Sequence, residues 1–289
     1  MFGIRAAAAT RGAEDRFNED NFLLADDIAL YAVCDGWGDH PGGEIAAYLA
    51  LEAIEVSVTQ SGDYAPREPW QPGRASTRLA EAAVRAALER VVTVASERPD
   101  LAGMGTTVTL LLMGREHAFI AHHGDSRAYL VRSGRLVQLT TDQAWTSSEA
   151  EAAESAIESF SVETAPGDTF LLCTDGAERE VANPDLVDGL EGYSPPLIAS
   201  RIVSAANRRD PTVDATVVVV RVRDEGPFAW AAAPVPSRPG EEARALVIDD
   251  GRERPETPYT LSFPRRAAAA RAGRGGDGSD APRSRTAIE

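Results

Sequence analysis

Residues 31–40 read Tyr-Ala-Val-Cys-Asp-Gly-Trp-Gly-Asp-His, an apolar run that stops at an aspartate followed by two spaced glycines. A run this short and this apolar is a buried strand or core segment, so Asp35 lies where it leaves the core. A carboxylate buried without a partner is costly. Asp35 must therefore turn to solvent or hold a cation, and Gly36 lets the backbone come close to whatever is held. What else the chain can be depends on whether other segments deliver carboxylates to the same place.

Four other boundaries carry aspartates. Thr174-Asp175-Gly176 closes a second apolar run, 169–174, and Asp214 opens a third, 215–222. Asp125 follows a strand-like run in Gly124-Asp125-Ser126-Arg127, and Asp20 ends the polar loop that begins at Arg11. One aspartate at a strand end is ordinary turn chemistry. Five such positions are better explained by a shared site for a hard divalent cation. Carboxylate oxygens and water suit Mg²⁺ or Mn²⁺ rather than zinc, and the four histidines form no cluster that would favour a softer metal.

The segments between these aspartates alternate in kind. Short strands are expected at 1–4 and 22–25, joined by a polar, acidic loop. Residues 42–58 have helical periodicity, with Ile45, Leu49, Ala53 and Val56 on one face. Pro and Gly mark 61–77 as a loop, and Ser76 caps a second helix running to Glu97 with Leu79, Ala83, Ala87, Val91 and Val94 inward. Residues 106–113, 117–122, 128–132 and 135–140 form an antiparallel meander punctuated by Gly114, Gly124 and Gly134. A weakly packed helix is expected within 143–160. A strand follows at 169–174, then a helix at 195–208 with Leu197, Ile198, Ile202, Val203 and Ala206 inward, then the strand at 215–222. This order is not a βαβ alternation. It predicts an α+β fold, a central antiparallel β-sandwich flanked by α-helices in four layers, α-β-β-α. Residues 1–223 form the expected catalytic domain. Residues 224–289 are a Pro/Ala/Arg-rich tail, largely disordered, with a short strand at 245–248.

Charge excludes some partners. The net charge is −16, so nucleic acid and anionic membranes are repelled. No apolar run reaches membrane-spanning length, and no signal-peptide pattern opens the chain. A cytoplasmic monomer is expected. The only cysteines, Cys34 and Cys173, are then two buried thiols in a reducing compartment.

The motifs together resemble the metal-dependent type 2C Ser/Thr protein phosphatases, the PPM family, in a bacterial form with a shortened flap. The matching pieces are Asn18-Glu19-Asp20, Asp35-Gly36-Trp37-Gly38, Gly103-Met104-Gly105-Thr106-Thr107, Gly124-Asp125-Ser126-Arg127, Leu139-Thr140-Thr141-Asp142, Gly167-Asp168, Thr174-Asp175-Gly176 and Asp214-Ala215-Thr216. Each alone is common; all occur here in the family's order. The resemblance implies a pair of Mn²⁺ or Mg²⁺ ions at one edge of the sandwich. Asp35 would bridge both ions, Gly36 would offer its carbonyl, and Asp20, Asp175 and Asp214 would bind directly or through water. Asp125 would belong to a third metal position. It also implies hydrolysis of phosphoserine and phosphothreonine on proteins, with a Ser/Thr kinase and its substrates as partners.

Four departures from the family pattern bear on this expectation. The phosphate-binding arginine of the family falls at Asp15, and Arg16, one residue nearer, takes the catalytic role in its place, with Arg11 a second candidate. Trp37 stands where many members carry a histidine; His40, His122 and His123 are the nearby imidazoles. The stretch between Asp142 and Gly167 is short for a flap. Arg179 replaces the acidic residue expected four after Asp175, with Glu178 and Glu180 beside it. The alternative these departures allow is a degenerate phosphatase acting as a regulatory phosphoprotein-binding module; an open site would also suit a general small-phosphate hydrolase.

Overall fold

The computed structural model describes residues 3–13, 17–38, 42–61, 75–143, 157–183 and 190–223. Eleven strands and four helices follow one another among them: β1 (Gly3–Arg11), β2 (Asp20–Ala25), β3 (Leu30–Trp37), α1 (Gly42–Gln60), α2 (Thr77–Glu97), β4 (Gly105–Thr106), β5 (Val108–Met113), β6 (His117–His123), β7 (Arg127–Arg132), β8 (Arg135–Gln138), β9 (Glu158–Glu163), β10 (Thr169–Cys173), α3 (Asp175–Val181), α4 (Pro195–Arg209) and β11 (Ala215–Arg223).

The strands make two antiparallel sheets. One runs β1-β11-β10-β7-β8; the other runs β2-β3-β5-β6-β9, with β4 added to the end of β3. Their facing sides close on Tyr31, Val33, Leu111, Ile120, Phe170 and Val218. The outer face of the second sheet is covered by α1 and α2, through Ala46, Ile54, Ala80 and Val84. The outer face of the first is covered by α3 and α4, through Val181, Ile198, Ile202 and Ala206. This is the four-layer α-β-β-α sandwich, because each sheet needs an apolar layer on both sides.

Several elements differ from the sequence expectation for identifiable reasons. The alanines of residues 6–9 belong to a nine-residue strand, not to a loop after 1–4, and pair with β11 from Gly3↔Arg223 to Arg11↔Ala215. Alanine has little strand preference of its own. Here its small size lets Ala9 join the core under α4 while Ala8 joins the core between the sheets. The end of the expected 143–160 helix is strand β9, paired to β6 from His117↔Glu163 to His122↔Glu158; residues 144–156 lie outside the described residues. In α1, Val56 is exposed and Ile54 and Val58 are buried instead. Alanines at 46, 47, 50 and 53 leave no distinct stripe from which to read the face. In α4, Leu197 is likewise exposed and Ile198 points inward. Helix α3 is too short to show periodicity. The Ser76 cap stands, its Oγ accepting from Leu79 N at 3.2 Å.

The Gly167-Asp168 piece has a structural task. Asp168 is 1% exposed, accepts two bonds from Arg132, each 2.7 Å, and one from Ala165 N at 2.8 Å. That satisfied pair locks the turn before β10 to β7. The two cysteines are free and buried. Cys34 faces the α1/α2 layer and Cys173 the α3/α4 layer, so both sheets lie between them and no disulfide can join them. Burial pushes both thiols up. Among the described residues no helix is long and apolar enough to cross a membrane.

Phe170 is fully buried between the sheets, whereas Val137 on β8 is 53% exposed. Phe170→Ala is expected to cost about 3–5 kcal/mol, and Val137→Ala to stay within about 0.5 kcal/mol. Denaturant midpoints of the two variants measure the contrast.

Candidate metal centre

Asp35 sits on the last turn of pairing in β3, directly across from Asp20 on β2. Its backbone is fixed from the other side by the Gly105-Thr106-Thr107 segment. Asp35 N donates to Thr107 Oγ1 at 3.0 Å, Thr107 N donates to Asp35 O at 2.8 Å, and Thr106 Oγ1 donates to Asp35 O at 3.0 Å. Thr107 Oγ1 in turn meets Ser126 Oγ at 2.6 Å, so the loop that carries Asp125 is tied into the same frame. Gly36 N donates to Glu19 O at 3.2 Å. A Cβ on Gly36 would collide with the carbonyl of Gly43, so the end of β3 and the start of α1 meet backbone to backbone.

Asp20 links the two sheets. Thr174 Oγ1 donates to Asp20 Oδ2 at 2.7 Å and accepts from Thr216 N at 3.0 Å. The other oxygen, Asp20 Oδ1, is buried and has no hydrogen-bond partner. Asp214, just before β11, accepts from Ala13 N at 2.7 Å and from Glu19 N at 3.0 Å, one backbone amide on each oxygen. It thereby pins both ends of the loop between β1 and β2. Asp175 is the first residue of α3 and is exposed. The Asp214 carbonyl packs so closely on Gly176 that a Cβ there would strike it.

These carboxylates act on one another. Asp35 is raised above the ordinary carboxylate range, first by burial and then by the negative fields of Asp20, Asp175, Asp125 and Asp214. Asp20 is raised by burial and by Asp214 and Asp175, against the lowering effect of its bond from Thr174. Asp125 is raised by burial and by Asp175. Among the described residues, no three carboxylate, imidazole or thiol groups yet close to the spacing of a bound ion. Arg127 offsets part of the field at Asp125, and the remaining repulsion opposes closer approach of the carboxylates.

Around this cluster lie residues whose roles the sequence left open. Trp37 pairs with Gly105, and its indole lies flat against that glycine, where a Cβ would overlap the ring. Its visible work is to clamp β4 against β3. Arg127 takes Asp142 with two bonds of 2.7 and 2.6 Å and Glu178 at 2.9 Å. Glu178, not Arg179, therefore faces the cluster; Glu180 is held by Arg209 at 3.2 Å on the far side of α3. His122 is fully buried, with Nδ1 2.9 Å from Thr109 Oγ1. Thr109 Oγ1 already donates to Ser126 O at 3.0 Å, so the proton of that contact is on His122 Nδ1. Burial lowers both His122 and His123, which keeps them neutral. Arg11 ends β1 opposite Ala215, with a buried Nε that has no partner. Arg16, Asp15 and His40 lie outside the described residues. The sequence reading found the aspartates but missed the hydroxyl frame of Thr106, Thr107, Ser126 and Thr174. Ser126 and Thr174 stand next to Asp125 and Asp175 in the chain, but Thr106 and Thr107 adjoin no aspartate, so the chain carries little signal for the frame.

A family model described as protein phosphatase 2C matches residues 9–208. The chain belongs to the protein phosphatase 2C family. It is 31% identical over 242 residues to the serine/threonine protein phosphatase PstP of Mycobacterium tuberculosis, covering 76% of this chain and 45% of that protein, so it spans about half the length of that relative. It is 26% identical over 208 residues to the serine/threonine phosphatase stp of Listeria welshimeri, covering 63% of this chain and 80% of the relative. A crystal structure of the PstP catalytic domain in complex with two manganese ions superposes with a TM-score of 0.66 at 28% identity, over 78% of this chain and all of that one. PppA, a regulatory component of T6SS in Pseudomonas aeruginosa, does so with a TM-score of 0.61 at 26% identity, over 76% of this chain and 97% of that one.

The residues suit the ions of this protein phosphatase 2C relative. The donors are oxygens, the orphaned Asp20 Oδ1 lacks the partner that a cation would be, and Asp35 is raised by the fields of four other carboxylates. The folded, metal-free protein holds protons on Asp35 and Asp20 more tightly than the unfolded chain does. Their contribution to stability is therefore full below the ordinary carboxylate range near about 3.9 and is lost as pH rises above it. In chelator, Asp35→Asn is expected to melt higher than the parent, with a larger gap at pH 8 than at pH 5; each kcal/mol of relieved repulsion is worth about 2–4 °C. Added Mn²⁺ should raise the parent's melting temperature and leave the variant's nearly unmoved. Equal melting of the two proteins under all conditions would count against a repulsive metal cluster.

Proposed function

We propose that the chain is a Mn²⁺- or Mg²⁺-dependent phosphoprotein phosphatase that hydrolyses phosphoserine and phosphothreonine esters. The observation that carries this reading is the meeting of carboxylates from both sheets at one edge, with Asp20 Oδ1 buried and unpartnered. Family membership and the named activities of PstP and stp support it.

In this reading Asp35, the Gly36 carbonyl, Asp20, Asp175 and Asp214 would hold a pair of ions, with Asp125 and Glu178 the residues that would serve a third. Two such ions supply positive charge to the phosphoryl oxygens and a water acidic enough to attack phosphorus near neutral pH. The chain's own groups orient the ester. Asp214 holds the residues flanking 14–16 through Ala13 N and Glu19 N, and Arg16 is the residue assigned to the phosphate on the sequence pattern. A guanidinium there takes two phosphoryl oxygens at once. Trp37 carries no titratable proton, so the leaving alkoxide is protonated from solvent rather than by a side chain at this position. The shortness of the stretch between Asp142 and Gly167 in the sequence suits a site open to folded substrates. The counterpart is a Ser/Thr kinase acting on the same proteins in the cytoplasm, a compartment that suits two free thiols.

Hydrolysis of p-nitrophenyl phosphate and of a phosphothreonine peptide, measured with and without Mn²⁺, tests this reading. Both substrates should be cleaved only with the metal, and Asp35→Asn should lose roughly 10²-fold or more, the scale for removing one charge-stabilising group. Arg16→Ala should raise KM for the peptide more than Arg11→Ala does. No metal-dependent turnover above Asp35→Asn would leave a binding module; turnover of the small ester alone would make the chain a general phosphate hydrolase.

A further inference from the structure

Behind the carboxylate cluster, α3 and α4 leave an open groove of about 430 Å³ lined by Glu180, Asn183, Ser200, Arg201, Ser204, Ala205 and Arg208. Its charge runs against that of the whole protein, which is −16. The one acidic side chain in the lining, Glu180, is already neutralised by Arg209. Arg201 and Arg208 are exposed, and Arg201 is held over the ring of Tyr193 at 4.6 Å, which fixes its direction.

Spacing says what such a groove takes. Arg201 and Arg208 are seven residues apart on one helix, about 10.5 Å along its axis at about 1.5 Å per residue. A peptide in the polyproline II conformation rises about 3.1 Å per residue with about three residues per turn, so side chains three residues apart share one face and span about 9 Å. Two acidic residues at positions i and i+3 of such a peptide therefore match the two guanidiniums, with Asn183 and Ser204 lining the groove beside them. The groove also begins near the reaction centre. Arg209, next to Arg208, donates to Gly176 O at 3.1 Å, and Gly176 follows Asp175.

We propose that this groove docks an acidic segment, of the pattern Glu/Asp-x-x-Glu/Asp, from the same phosphoprotein whose phosphorylated residue enters the carboxylate site. The proposal rests on the phosphatase reading and gives the open site a source of substrate selection outside the flap.

The test compares a phosphothreonine peptide carrying Glu-x-x-Glu on both flanks with one carrying Gln-x-x-Gln, on the parent and on the double variant Arg201→Gln, Arg208→Gln, with p-nitrophenyl phosphate as control. The variant should lose roughly five- to tenfold in kcat/KM on the glutamate peptide, the scale of two exposed ion pairs at low salt, and the loss should fade with added salt. Its activity on the glutamine peptide and the small ester should not change. An equal loss on both peptides, or none on either, overturns the proposal. Anisotropy of a labelled, unphosphorylated Glu-x-x-Glu peptide gives a readout that needs no turnover. Binding by the parent and not by the variant supports the groove even if no ester is hydrolysed, and equal binding by both overturns it. Matching melting temperatures of parent and variant confirm that the helix is intact.

Discussion

Mutual repulsion among Asp20, Asp35, Asp125, Asp175 and Asp214 is the constraint around which this molecule is built. Left to themselves such groups would separate into solvent. They stay together because each is fixed by its neighbours, Asp20 and Asp214 through hydrogen bonds to their own carboxylates and the others through the backbone. Asp35 is fixed by three bonds to Thr106 and Thr107, Asp175 by its place at the start of α3, and Asp214 by the packing of its carbonyl on Gly176. The two sheets supply the stiffness for this, and their common core lies directly behind the cluster. The site is a preorganised anionic edge whose electrostatic cost is carried by the sandwich.

A local exchange marks two of the departures from the family's usual residues, at Trp37 and at α3. Trp37 brings no proton to the site but brings a large flat ring, which Gly105 accommodates by having no side chain. The position has traded acid–base capacity for rigidity in the very segment that frames Asp35. At α3 the acidic side chain that faces the cluster is Glu178, already engaged with Arg127. The guanidinium of Arg127, shared among Asp142, Glu178 and Tyr129, lies where the outer part of the cluster would otherwise be uncompensated.

Most of the architecture could be read from the chain because the strands and long helices carry strong periodicity. The aspartates stood out because each lies at a strand boundary, as at Cys34-Asp35-Gly36. What escaped were elements whose structure is decided by neighbours. The alanines of β1 have no preference for a strand and become one only because β11 pairs with them and two cores close on them. The end of the expected helix in 143–160 becomes an edge strand because β6 offers it an unpaired side. In alanine-rich α1 the inner face was read correctly at Ile45, Leu49 and Ala53 and missed only at Val56, whose place is taken by Ile54 and Val58. In the site, the threonine and serine hydroxyls were invisible as functional residues: nothing in a single sequence separates Thr107 or Thr174 from any other turn residue.

Asp214 carries a consequence beyond ligation. Its two oxygens each hold a backbone amide, one from Ala13 and one from Glu19, so a single carboxylate ties the end of β1 and the start of β2 to the start of β11. Neutralising that carboxylate would weaken both ties at once, and the junction of the two sheets would loosen as one event rather than as two.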